Sequence, residues 1–420
     1  MNKRNFLKQI SLLGMATPVL FQNLDKWVNA VAHQSPEEVA KNEDFWWKIR
    51  SGYRLKPDYI NLENGYYCFM PQEILEDYIH HIRHINYEAS YYLRTVQWQN
   101  KQRMQEKLAE LAGCSAEEVI ITRNTTESLD LIIGGVHWKK GDEAVMAVQD
   151  YGAMLDMFQL QEDRHGIVNK IVSLPSHPKS DAEIVELYAN TITDKTRLLM
   201  VCHIININGQ ILPVRKICDM AHQKGVEVMV DGAHAFGQLN FKIPDLNCDY
   251  YGTSLHKWLS VPIGAGMLYV KKGKAANIWP LFAEAAGKEE GDILRLNHTG
   301  THPVHTDLAI GNAIEYQNRL GLARKEARLR YLQHYWTSRV REMPNVIVNT
   351  PAEQARHCAI GNVGIKNIPP KELSKILLER YRIWTVAINR PNVVGCRITP
   401  NIYTTTKELD VLVKALEELA

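Results

Sequence analysis

From about residue 99 onward the chain alternates between helically periodic segments and short runs of β-branched residues, and this constrains the fold more than any other feature of its 420 residues. Successive strands joined through helices lie parallel, because each helix crosses a face of the sheet before the next strand begins. The expected class is therefore α/β with a mainly parallel sheet. Strands are expected at Val119–Thr122, Ala144–Val148, Leu198–His203, Val226–Asp231 and Met267–Val270. A helix from Gln99 to Ala112 should stop at Gly113, and one from Pro213 to Lys224 should stop at Gly225, with proline in the first turn and glycine just past the end.

The remainder of the chain divides around that core. A long helical stretch is expected from Leu308 to Glu342, followed by a segment of α+β character to Ala420 that reads as a small domain. The expected organisation is an export leader over 1–32, a helical extension over 33–58, a large domain over 59–305, and the long helix with the small domain over 306–420. The leader reading comes from Lys3-Arg4-Asn5-Phe6-Leu7-Lys8, the apolar run Ile10 to Phe21, and Ala30-Val31-Ala32. Basic, apolar, then small-x-small is the layout of an export signal. The block resembles a twin-arginine signal with Lys3 in place of the first arginine, so the expected location is periplasmic, the alternative being a cytoplasmic protein with an amphipathic helix packed on its body.

Charge sets limits on the partner. Lys and Arg total 49 against 47 Asp and Glu, which offers no field to attract nucleic acid or an anionic membrane. No stretch of the body is long enough to span a bilayer. The seven cysteines include no C-x-x-C pair and suggest neither a disulfide framework nor a zinc ribbon. A small-molecule ligand is expected.

Three polar segments follow predicted strands, where ligands of α/β sheets bind. In Ser254-Leu255-His256-Lys257-Trp258 a lysine sits beside two hydrogen-bond donors. An aldehyde cofactor bearing a phosphate needs this pairing: a neutral amine to form an imine, with Ser254 and His256 to hold the phosphate. In Val230-Asp231-Gly232-Ala233-His234 an apolar strand delivers a carboxylate, suited to keep a pyridine nitrogen protonated, while His234 could reach the phenolic oxygen of the same ring. In Arg123-Asn124-Thr125-Thr126-Glu127-Ser128 hydroxyls open a helix, and Thr125 and Thr126 read as phosphate holders. Read singly, these are a solvated lysine, a turn-forming aspartate and a helix cap.

In this order the three segments resemble fold-type I pyridoxal-phosphate enzymes of the class V aminotransferase group, which includes isopenicillin N epimerase and the cysteine desulfurases. The resemblance spans roughly Tyr59 to Leu419 and is concentrated at Thr122–Ser128, Val230–Lys257 and Gly395–Asp410. It implies a seven-stranded sheet in the large domain, pyridoxal 5'-phosphate as cofactor, and Lys257, Asp231 and Tyr151 as catalytic residues, with Tyr151 stacking on the cofactor ring. It also implies substrate contacts from Asn206, Asn64 and Arg397, a guanidinium fork being suited to an α-carboxylate. Thr301, in Thr299-Gly300-Thr301, would reach the phosphate of a second subunit, implying a homodimer with shared sites.

A cysteine desulfurase needs a reactive thiol shortly before that arginine, yet Trp384 to Pro391 contains none; Cys358 lies too far upstream, and Cys396 adjoins Arg397. Epimerisation, transamination or elimination at the α-carbon of an amino acid then remain as alternatives. Two other classes compete. His80, His81 and His84 lie at helical spacing and raise a metal hydrolase, although no H-E-x-x-H accompanies them. A relative that binds the cofactor without turnover is the other.

Overall fold

The computed structural model describes residues 21–282 and 288–420. Seven strands form its centre: β1 (Val119–Thr122), β2 (Glu143–Ala147), β3 (Val168–Val172), β4 (Thr196–Cys202), β5 (Glu227–Asp231), β6 (Tyr250–Ser254) and β7 (Gly266–Val270). They lie in the order β1-β7-β6-β5-β4-β2-β3, with β7 antiparallel to both its neighbours and the other pairings parallel. Alternate residues feed two apolar layers. Val145, Leu199, Val201, Val228 and Val230 face one, whereas Ala144, Met146, Leu198, Met200 and Met229 face the other. Burial on both faces explains why these strands read as unbroken apolar runs.

Strand β3 escapes that pattern. It lies at the sheet edge with Val168 and Ile171 exposed and Asn169 and Lys170 between them, so it carries neither a continuous apolar run nor clean alternation.

The single long helix expected from Leu308 to Glu342 is two helices, Val304–Leu320 and Leu322–Val340. Gly321 separates them at a φ of 86°, a backbone state that a residue with a Cβ adopts only at a cost. The first helix packs on Gln72–Glu88 and Gln97–Ala112, and the second on Thr406–Leu419. The break thus passes the chain from the large domain to the small one.

The small domain holds β8 (Val346–Val348), β9 (Gly361–Ile365), β10 (Val386–Arg390) and β11 (Val393–Ile398), in the antiparallel order β10-β11-β9-β8. Helices Pro370–Tyr381 and Thr406–Leu419 cover it around the fully buried Trp336. Residues 60–64, expected in the large domain, pair instead with the C-terminal part: Ile60–Asn61 run parallel to Ile383–Trp384, and Glu63 bridges to Thr399. Sequence distance hid this association.

The basic block and most of the apolar run of the expected leader, residues 1–20, lie outside the described residues. Helix Gln22–Ala30 follows, and Phe21, Leu24 and Val31 are buried in the main core. No helix among the described residues is long and apolar enough to cross a membrane.

Candidate active site

The carboxyl ends of β1, β5 and β6 bring the three polar segments together. Asp231 and Ser254 are the last residues of β5 and β6, and β1 leads through Asn124 into helix Thr125–Gly135. The Asn124 side chain caps this helix by accepting from Glu127 N at 2.9 Å. Thr125 and Thr126 are thereby left in the first turn. Thr125 N donates to Ser254 Oγ at 2.8 Å, and the two hydroxyls lie 2.7 Å apart. Next to this cradle, His256 Nδ1 is buried with no hydrogen-bond partner among the described residues. Donors at a helix N-terminus with an unspent imidazole nitrogen suit a phosphate.

Lys257 is partly buried and held in a short chain of contacts. Its Nζ lies 3.1 Å from His234 Nε2, and His234 Nδ1 accepts from the indole N–H of Trp258 at 3.3 Å. An indole can only donate, so Nδ1 must be the acceptor, and a neutral ring then carries its proton on Nε2. That proton points at Lys257, whose amine can accept it only when itself neutral. The electrostatics agree. Burial pushes Lys257 down to about 8, aided by Arg397 and opposed by Asp231. Burial also holds His234 well below the usual histidine range, again with help from Lys257 and Arg397. His256 falls to about 4 through burial and then the Lys257 charge.

Asp231 is buried and accepts from Ala233 N at 2.9 Å. Burial raises its pKa, while that N–H and the Lys257 charge pull it back. A buried carboxylate with one oxygen so anchored can present the other to a protonated pyridine nitrogen. Lysine, carboxylate and phosphate cradle therefore fit pyridoxal phosphate: an amine for its aldehyde, an acid for its ring and donors for its phosphate.

Of the other expected residues, Arg397 on β11 faces the same space and shares Lys257's electrostatic field. Its Nη1 donates to the backbone oxygen of Asn206 at 3.1 Å, so Asn206 enters this cluster through its carbonyl. Asn64 is buried, but its Oδ1 accepts from Asn61 Nδ2 at 2.9 Å and from the Tyr403 hydroxyl at 2.6 Å, and its Nδ2 donates to Thr399 O at 2.7 Å. Its side chain stitches the N-terminal segment to the C-terminal one. Tyr151 begins helix Gly152–His165 with 47% of its surface exposed. Thr301 is exposed, and no hydrogen bond among the described residues joins it to the cluster.

Three neighbours went unnoticed in the sequence. Glu63 pairs with Arg397. The fully buried Lys325 donates to Trp258 O, bracing the turn after Lys257, and burial lowers it to about 8. Cys68 lies close enough to feel the Lys257 charge; it contacts Asn64 O and Asn401 Nδ2, and burial pushes its thiol up to about 12. Glu63 and Cys68 flank the Asn64-Gly65 step, which is a faint signal, and Lys325 in mid-helix has none. The histidines at helical spacing lie elsewhere: His80 and His84 stack on helix Gln72–Glu88, and no group of metal-ligating side chains occurs among the described residues.

Known proteins resemble this chain over most of its length. Isopenicillin N epimerase of Streptomyces clavuligerus is 28% identical over 398 residues, covering 89% of this chain and 98% of its own. A cysteine desulfurase of Escherichia coli O7:K1 is 27% identical over 333 residues, covering 73% and 78%. The solved structure of a C-DES mutant with glycine covalently linked to its PLP cofactor superposes with a TM-score of 0.80 at 20% identity, over 88% of this chain and 99% of that one. The profile of the aminotransferase class-V family matches residues 69–390. With that match and the lysine, aspartate and phosphate cradle in place, the chain belongs to the class-V aminotransferase family and is a pyridoxal-phosphate enzyme of fold type I.

Proposed function

We propose that this enzyme removes the α-proton of an amino acid, or of a compound containing one, as the first chemical step of an epimerisation, transamination or elimination. The observation that carries this reading is the Lys257 amine, brought down to about 8 by burial, in contact with the His234–Trp258 pair and sharing its surroundings with Asp231 and Arg397. Pyridoxal phosphate, when bound, supplies the electron sink that makes an α-C–H acidic. Asp231 would hold a proton on the ring nitrogen of that cofactor. Arg397 takes the substrate carboxylate and so fixes which bond faces the lysine. Lys257 Nζ, ordinarily protonated at neutral pH, is poised near 8 to accept the α-proton and return it.

The thiols support chemistry at carbon over persulfide transfer. Sulfur transfer needs a thiolate, whereas burial raises Cys68, Cys358 and Cys396 each to about 12. The stretch 384–391 before Arg397 has no cysteine.

We further infer a homodimer whose second copy brings Thr301 to the phosphate, and export of the folded chain. Leader cleavage would fall before Phe21, because removal of 1–32 would strip Phe21, Leu24 and Val31 from the core.

The test is an absorbance screen of amino acids against the cofactor-loaded protein, with product identification, on wild type and Lys257→Ala. Spectral change and turnover are expected for wild type, and loss of turnover for the variant. Normal turnover by Lys257→Ala refutes the assignment. Alanine and persulfide formed from cysteine would point to the desulfurase alternative.

A further inference from the structure

The guanidinium fork assigned to substrate is already filled by a carboxylate of the protein itself. Arg397 Nε donates to Glu63 Oε2 at 3.2 Å, and Nη2 donates to Glu63 Oε1, a two-point pairing along one edge of the fork. With Nη1 on Asn206 O, all three nitrogens are engaged. Both side chains are nearly enclosed, with 9% of Arg397 and 8% of Glu63 exposed. Glu63 is held in place by the Tyr66 N–H at 3.1 Å from Oε1 and by its backbone bridge to Thr399. The chain passes so close to the guanidinium that a Cβ on Gly65 would lie 2.8 Å from its central carbon. A glutamate that merely neutralised a buried arginine could sit on any side of it. This one takes the edge that a carboxylate ligand would use, in the geometry such a ligand would adopt.

We propose that Glu63 is a resident stand-in for the substrate carboxylate: a ligand binds Arg397 only by displacing it, and Glu63 thereby sets the threshold for which carboxylates the site accepts. This rests on the reading of Arg397 as the carboxylate anchor. Two consequences follow from exchange. Simple carboxylates bind weakly, because they trade one ion pair for another and leave Glu63 without its partner. Substrates with additional contacts, such as those Lys257 and the cofactor provide, offset that loss.

The test uses propionate, a carboxylate without an amine, which cannot condense with the cofactor and so reports on Arg397 alone. Its affinity for cofactor-loaded protein is measured by calorimetry in wild type, Glu63→Gln, Glu63→Asp and Arg397→Gln. Glu63→Gln is expected to bind at least about tenfold tighter than wild type, since the competing charge is gone while the side-chain volume stays. Glu63→Asp, too short to hold both nitrogens, is expected to fall between, and keeps the comparison available should Glu63→Gln fail to fold. Arg397→Gln is expected to lose binding. Affinity in the Glu63 variants that equals wild type, falls below it or is undetectable overturns the proposal and leaves Glu63 as a brace for Arg397. Failure of the broader reading looks different: the protein would take up no cofactor, or would give no spectral response to amino acids, whatever residue 63 is.

Discussion

Replacing Lys257 by methionine keeps the side chain's apolar stem and removes its amine, and its effect on stability should depend on pH in a defined direction. An unfolded lysine titrates near 10.4. In the fold, burial brings Lys257 down to about 8. Between those values the unfolded chain holds a proton that the native chain has released, so unfolding becomes costlier as pH rises. Below about 8 both states are protonated, and the penalty of a buried charge is fully present. It is lifted as pH climbs toward 10.4, by up to about 1.4 kcal/mol per pH unit and about 3 kcal/mol in all. Other buried groups act in this range too. Lys325, also near 8, works in the same sense, whereas thiols raised to about 12, such as Cys68, work in the opposite one. They are common to both proteins, so the difference between wild type and variant isolates Lys257. The assay is urea unfolding of cofactor-free protein from pH 7 to 10.5, followed by tryptophan fluorescence. The stability of wild type relative to Lys257→Met should rise through this window. A difference that stays flat would mean that Lys257 is not held neutral by burial, and the basis for its role as a base would be lost.

Two further substitutions probe the supports of the site and fold. Trp258→Phe removes the donor that pins His234; the ring proton can then move to Nδ1, Nε2 becomes able to accept from a charged lysine, and the pH midpoint for cofactor attachment should rise from about 8 to about 9, read from the rate of colour formation. An unmoved midpoint would dissociate the indole from the lysine. Arg328→Met should cost about 3 kcal/mol in urea unfolding, because the buried guanidinium donates to Ala40 O and Thr404 O and pairs with Glu43, joining the N-terminal extension to the C-terminal segment. A loss within about 0.5 kcal/mol would show that those carbonyls find other donors.

The amino-acid sequence determined the layers and the chemical kit. Strands buried on both faces announce themselves as Val, Ile and Met runs, so β1, β2, β4, β5 and β7 were legible to within one or two residues, and the segments at the carboxyl ends of β1, β5 and β6 showed Thr125, Asp231 and Lys257. Local features such as these need only neighbouring residues to be recognised. Tertiary structure decided everything that depends on distant segments meeting. The edge position of β3, the break at Gly321 and the pairing of residues 60–64 with the small domain each arise from contacts that leave no periodic trace. Glu63 and Arg397 are 334 residues apart in the chain, yet they share one ion pair. Lys257 in sequence is one lysine among many; burial and the indole-bound His234 make it an amine near 8, because desolvation is a property of the packed surroundings and not of the residue.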